Sequence, residues 1–243
     1  MSFVSRSMPL HTRPLETIEC SFSRTAGLAE ESFSSPYNSE VRRLLHHFAP
    51  TTMTNSNSPP FAEQPKRVST PLENTPAWPW NPEAPIAAPL CLHTPKVPPE
   101  WVDYNGHMSE SCFLLAFGDS GDAFFRFLGI DERYRDERGL SFYTVETHLH
   151  NLSEASEGDP LRLTLQLLDA DEKRMHTFHS MYHGHSGALL ATGEQMLVHV
   201  NAREGRSTPM PSDIHAHVQA VLAAHRQLAR PKQAGSSIGI RRK

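Results

Sequence analysis

Apolar positions along this chain change period, and the changes mark out a domain. From Ser109 to Leu128, Leu114, Phe117, Gly121, Phe124 and Leu128 recur at spacings of three and four, while Asp119, Asp122 and Arg126 fall on the other side. This predicts a helix with one buried face. Ser109 is the expected N-cap, Glu110 sits at the positive end of the helix dipole, and Gly129 is the expected C-terminal stop. Inside a helix Gly118 and Gly121 each cost about 1 kcal/mol relative to Ala, so close approach to a sheet is expected there.

Beyond a charged connection, Asp131 to Arg138, with room for a short helix, the period drops to two. Leu140 to Leu152 is rich in aromatic and β-branched residues, and Leu161, Leu163, Leu165 and Leu167 alternate with Arg162, Thr164 and Gln166. Turns at Ala155 to Pro160, Asp169 to Arg174 and the HGHSGA stretch from His183 lead into strands at Met175 to His183 and Leu189 to Asn201. Upstream, Cys91 to Val97 reads as a first strand, ended by Pro98 and Pro99. Downstream, Pro211 to Ala229 holds a helix with Ser212 or Asp213 as cap and Ile214, Val218, Val221, Leu222 and Leu228 as its apolar side. The order predicts an α+β domain over residues 87–230, an antiparallel sheet wrapped around one long central helix, about 140 residues and enough for one core.

Composition differs on either side. Residues 1–86 read as a disordered Pro/Ser-rich extension, in which stretches such as TPAWPWNPEAP from Thr75 stop any helix and bury little apolar surface. Val41 to Phe48 (VRRLLHHF) has room for a turn or two of helix, too short to stand alone. Met53, opening MTNSNSPPF, is read as an alternative natural start, because residues 1–52 carry no sustained period. Residues 231–243 read as a basic, polar, solvated tail. A formal net charge of −4 over 243 residues, with no apolar run near the roughly 20 residues of a spanning helix, points to neither nucleic acid nor membrane. Cys20, Cys91 and Cys112 are scattered and read as reduced thiols in a cytoplasmic setting.

The candidate chemistry lies in DYNGHM, Asp103 to Met108, an acid, an amide and an imidazole in a Gly-containing loop just before the long helix. On the residues alone this is a plain turn, since Asp and Asn tolerate unusual backbone angles and Gly takes positive φ. His148, His150, His176, His179, His183, His185 and His199 fall on expected strands or turns. They lack an HExxH or paired-cysteine pattern, so no metal is expected. Cys112, inside the helix, has no partner by spacing.

Two longer stretches sharpen the reading. VPPEWVDYNGHMSESCFLLAFGDSGDAFFRFLGI resembles the opening of hotdog-fold thioesterases of the 4-hydroxybenzoyl-CoA thioesterase type, where an Asp-containing loop with GHxN precedes the central helix. From Thr94 to about Ala229, including SFYTVETHLHNL and LATGEQMLVHV, the chain is most similar to betainyl-CoA thioesterases of carnitine breakdown. Asp103-x-Asn105-x-His107 also resembles the D-x-N-x-H motif of plant acyl-carrier-protein thioesterases, whose strand glutamate corresponds to Glu146. Ser109 stands where many relatives carry Asn, and there is one hotdog unit where the plant enzymes have two.

The resemblance implies hydrolysis of a short-chain acyl-CoA thioester, with betainyl-CoA as substrate. Asp103 would be general base or nucleophile, and Asn105 and His107 would orient water or the carboxylate. Backbone amides from Met108 to Glu110 would hold the oxyanion, with Gly106, Ser109 and Glu110 lining the substrate loop. Glu146 would be a second acid or charge partner; it also reads as a solvated strand carboxylate, and His107 also reads as helix-start packing. Trp101, Tyr104, Phe142 and Tyr143 are the aromatic candidates for a trimethylammonium group, at about 0.5 to 2 kcal/mol per cation–π contact. No cofactor is implied beyond the CoA of the substrate. A site built between two units implies a homodimer or homotetramer. Two other readings remain on this fold, an enoyl or hydroxyacyl thioester hydratase-dehydratase and a non-catalytic acyl-CoA binding module.

Overall fold

The computed structural model describes residues 69–240. The readings made for Val41 to Phe48, for Met53 and for the rest of residues 1–68 and 241–243 lie outside the described residues. Chain order runs β1 (Leu90–His93), a 3-10 turn at Pro99–Trp101, α1 (Glu110–Phe127), α2 (Glu132–Arg138), β2 (Leu140–Asn151), β3 (Leu161–Ala170), β4 (Arg174–His183), β5 (Leu189–Asn201), β6 (Arg206–Ser207) and α3 (Ser212–His225). The strands form one antiparallel six-stranded sheet in the order β1-β3-β4-β5-β2, with β6 added to the end of β5. This is the hotdog arrangement, a curled sheet around α1. β2, twelve residues long, is left at the sheet's edge.

Alternation decides which face meets the helix. Leu161, Leu163, Leu165 and Leu167 of β3 are buried, as are Met175, Thr177, His179 and Met181 of β4. Against them α1 lays Phe113, Ala116, Phe117, Ser120, Ala123 and Phe124. Burying a Phe or Leu of this kind contributes about 1.5 to 3 kcal/mol. Two apolar clusters result. One surrounds Phe113 and Phe117 at the start of α1; the other surrounds Phe124 and Leu128 at its end and takes in the α3 residues Ile214, Val218, Val221 and Leu222.

The structure corrects the helix reading: Leu114, expected on the buried stripe, is 44% exposed. Asp119 and Arg126, expected on the exposed side, are only 4% and 2% exposed. A Cβ at Gly118 or Gly121 would meet nothing within 4 Å. The close approach is made instead by a glycine of the sheet: a Cβ on Gly193 would lie 3.0 Å from Phe117 Cδ2. Gly129 does take the left-handed conformation, φ +92°, just past the helix. β1 is shorter than expected, and α3 is preceded by Pro211 with no side-chain cap.

The Pro-interrupted stretch before β1 is not a free linker where it is described. Thr70 Oγ1 donates to Asp122 at 3.0 Å, Ala77 N to Asp131 at 2.9 Å, and Arg126 donates to the Thr75 carbonyl. Trp80 stacks on His217 with ring centroids 4.0 Å apart. It lacks helix because of its prolines, yet it straps α1 from outside. At the other end, Gly235 N donates to both oxygens of Glu194, 2.8 and 3.0 Å away, which ties the C-terminal segment to the outer face of the sheet.

Buried histidines lock the corners. Tyr134 Oη lies 2.7 Å from His199 Nε2, and His199 Nδ1 lies 2.8 Å from the Thr208 carbonyl, which can only accept. His199 therefore carries a proton on Nδ1. His225 has the other tautomer, because Leu167 N donates to Nδ1 at 2.8 Å and Nε2 faces the Ala87 carbonyl at 3.1 Å. Burial pushes both below the usual histidine range.

Candidate active site

The Asp103 loop is closed like a small hairpin. Val102 and Met108 face each other in an antiparallel bridge, and Asp103 N donates to the His107 carbonyl at 2.9 Å. Gly106 N donates to the Asp103 carbonyl at 2.9 Å, with Gly106 at φ +81°, a conformation that favours glycine. Asp103 Oδ1 accepts from Asn105 N at 2.8 Å, while Oδ2 is 3.4 Å from Asn105 Nδ2. The plain-turn reading is thus correct as geometry. The same bonds fix the carboxylate's direction, with Oδ2 the less committed oxygen. His107 Nε2 lies 3.3 Å from Glu154 Oε2. Tyr104, at the tip, is 97% exposed.

Two further bonds dock the loop. Ser109 N donates to the Trp101 carbonyl and Met108 N to the Ala155 carbonyl, both at 2.8 Å. They also correct the expected oxyanion donors, since two of the three amides from Met108 to Glu110 are already used. The amides that donate to no acceptor among the described residues are those of Glu110 and Ser111, in the first turn of α1. Ser109 is the N-cap by backbone, with ψ 145°, but its hydroxyl makes no capping bond and lies 3.4 Å from Ser111 Oγ. The helix start is therefore left open to an incoming acceptor, where the dipole favours negative charge.

The structure gathers Trp101, Asp103, Tyr104, Asn105, Gly106, His107, Ser109 and Glu110 at this end of the fold. Trp101 is half-buried and packs on the Phe113 cluster. Phe142 goes elsewhere, 7% exposed, stacked on Phe125 and edge-on to His199, so it offers no ring face to a ligand. Tyr143 and Glu146 stand exposed on the edge strand β2, Glu146 at a bulge opposite Met196. Glu154 was missed by sequence reading, and only its place in a turn rich in Ser and Glu marked it. Asp119 was missed as a buried acid. Burial and the nearby Asp122 push its carboxyl up to about 6, but it lies about 15 Å along the helix from Ser109. Among the described residues no three His, Cys, Asp or Glu side chains converge to hold a metal ion, and no helix is long and apolar enough to cross a membrane.

An acid beside an open helix start, on a hotdog sheet, is an arrangement suited to acyl-thioester chemistry. The chain belongs to the thioesterase-like superfamily, whose family model matches residues 97–218. It is 42% identical over 151 residues to the betainyl-CoA thioesterase of Pseudomonas aeruginosa, covering 62% of this chain and 95% of that protein. Over 156 residues it is 45% identical to the L-carnitine dehydrogenase/betainyl-CoA thioesterase of Rhizobium meliloti, covering 64% of this chain but only 31% of that longer protein. A Staphylococcus aureus protein solved in complex with CoA superposes with a TM-score of 0.60 at 28% identity, over 65% of this chain and all of that one.

Proposed function

We propose that this chain hydrolyses betainyl-CoA to betaine and free CoA in the cytoplasm. The observation that carries the reading is the pairing of an oriented Asp103 carboxylate with the two free amides at the start of α1. Betainyl-CoA as substrate is supported by the similarity to the Pseudomonas aeruginosa betainyl-CoA thioesterase. With Asp103 as general base, its carboxylate takes a proton from water as the oxygen adds to the thioester carbon. The oxyanion is held by Glu110 and Ser111 N–H, and collapse breaks the C–S bond, the CoA thiolate recovering the proton. With Asp103 as nucleophile, Oδ2 takes the acyl group as an anhydride and expels the CoA thiolate; water then opens the anhydride, freeing betaine and the Asp103 carboxylate, and its proton goes to the thiolate. Asn105 fixes the carboxylate; His107, paired with Glu154, orients water. Trp101 and Tyr104 offer ring faces to the trimethylammonium group.

The unit works as a homodimer in this reading. Among the described residues β2 is the last strand of the sheet and carries exposed Tyr143, Thr144 and Thr147, and long edge strands pair readily with another strand. Free-thiol release from betainyl-, butyryl- and crotonyl-CoA tests the function. Rapid release from betainyl-CoA is expected. Hydration of crotonyl-CoA without thiol release would replace the reading by a hydratase, and CoA binding with no turnover by a binding module. Loss of betainyl over butyryl preference is expected in Trp101→Ala.

A further inference from the structure

Two turns that the mechanism does not use meet beside the Asp103 loop. They are the β4–β5 turn, HGHSGA from His183, and the β2–β3 connection, which runs through Ala155 to Pro160. Gly184 N donates to the Pro160 carbonyl at 2.6 Å, and the approach is close enough that a Cβ on Gly184 would lie 3.0 Å from Pro160 Cβ. Across this contact His183 Nε2 faces Asp159 Oδ1 at 3.5 Å, with both side chains partly buried. The imidazole is aimed by its own turn. Its Nδ1 accepts from the amides of His185 and Ser186 at 3.2 and 3.3 Å, so the proton sits on Nε2, toward the carboxylate.

Asp159 carries this pairing toward the site. Its second oxygen, Oδ2, accepts from Ser156 N at 2.8 Å, while Asp159 N donates back to the Ser156 carbonyl at 3.1 Å, so the residue braces the turn through side chain and backbone together. Gly158, at φ +80°, lets the turn close, with its amide on the Val97 carbonyl at 2.8 Å. The two residues just before Ser156 hold the catalytic loop. The buried Ala155 gives its carbonyl to Met108 N at 2.8 Å, and Glu154 lies 3.3 Å from His107 Nε2. The His107 carbonyl in turn accepts from Asp103 N at 2.9 Å. An unbroken run of contacts thus joins His183 to Asp103. We propose that Asp159 and His183 are positioning residues, which fix the Asp103 carboxylate by holding the turn that anchors its loop. The effect on turnover rests on the thioesterase reading above; the anchoring is a property of the folded chain. Misplacing a reacting group by about 1 Å costs up to about 10²-fold in rate, so a brace two residues from the anchor has leverage.

His183→Asn and Asp159→Asn, each in the full-length protein, break the link while sparing the turns it joins. An Asn oxygen at 183 can still accept from the amides two and three residues on but does not reach Asp159, and an Asn oxygen at 159 can still accept from Ser156 N. In both variants hydrogen exchange at the Met108 amide should quicken about tenfold, with exchange unchanged at the Leu128 amide, which donates to Phe124 at the other end of α1. For betainyl-CoA, kcat per folded molecule should fall about tenfold with KM within about twofold of wild type. The double variant should lose no more than either single one, and neither substitution should lower the residual rate of Asp103→Ala. Wild-type exchange at Met108 in both variants would overturn the anchoring whatever the activity, and equal quickening at Leu128 would reduce it to general loosening. Faster exchange at Met108 with kcat kept would overturn the positioning role. A wild type that releases thiol from no thioester, with Met108 exchange quickened in the variants as expected, would count against the thioesterase reading and uphold the anchoring.

Discussion

At its C-terminal end α1 buries Arg126, and that guanidinium is fully engaged: Nε meets Asp122 at 3.2 Å, Nη2 meets Glu132 at 2.6 Å, and Nη1 donates to the Thr75 carbonyl. The hydrogen bond from Arg126 draws the Glu132 carboxyl down to about 2. At its N-terminal end the same helix has a cap residue whose hydroxyl makes no capping bond, two amides that donate to no acceptor among the described residues, and a carboxylate turned into an exposed loop just before it. One end spends its polar groups on holding the strap and α2 in place. The other keeps them in reserve, as a site does that must meet charge arriving with a ligand.

Substitutions at the two ends should separate activity from stability. The largest effect is expected for Asp103→Ala, a fall in thiol release of about 10²- to 10⁴-fold with melting little changed. Next, Arg126→Ala should cost about 2 to 4 kcal/mol in urea unfolding, because a buried side chain is lost and Asp122, Glu132 and the Thr75 carbonyl lose their donor. Gly193→Ala, between the two ends, should cost about 1 to 3 kcal/mol by pressing on Phe117. Ser109→Ala should change stability by no more than about 0.5 kcal/mol, below the usual loss of a cap, since its hydroxyl makes no capping bond.

Acid should unfold the closed parts before it reaches ordinary carboxylates. His179 is wholly buried, its Nδ1 without a partner, and burial lowers it from 6.5 to about 4; His199 and His225 are lowered in the same way. As pH falls below 6.5 the unfolded chain takes up these protons first, so stability present above that pH is lost progressively toward about 4. Asp119 opposes this, since its carboxyl, raised to about 6, is protonated first in the folded state. Asp119→Asn should therefore steepen the acid loss, measured as melting temperature against pH.

Much of this was legible because period encodes burial. The alternating leucines of β3 are buried as their spacing requires, and the α1 boundaries fall within a residue of those expected. What escaped the pattern was set by partners distant in sequence. Arg126 reads as a surface residue until Thr75 and Glu132 surround it. Phe142 reads as a possible cage aromatic until Phe125 and His199 enclose it. Asp103 stands out through its motif, but the Ala155 and Trp101 carbonyls claim the Met108 and Ser109 amides, bonds invisible in the string DYNGHM, which leaves Glu110 and Ser111 as the open amides of the helix start among the described residues.

The most direct measurement is thiol release from betainyl-CoA by wild type, Asp103→Ala and Arg126→Ala, each expressed per folded molecule from a parallel unfolding curve. The account predicts that Asp103→Ala loses turnover while folding normally, and that Arg126→Ala loses stability while its folded fraction turns over at the wild-type rate. Wild-type turnover in a folded Asp103→Ala protein would contradict it.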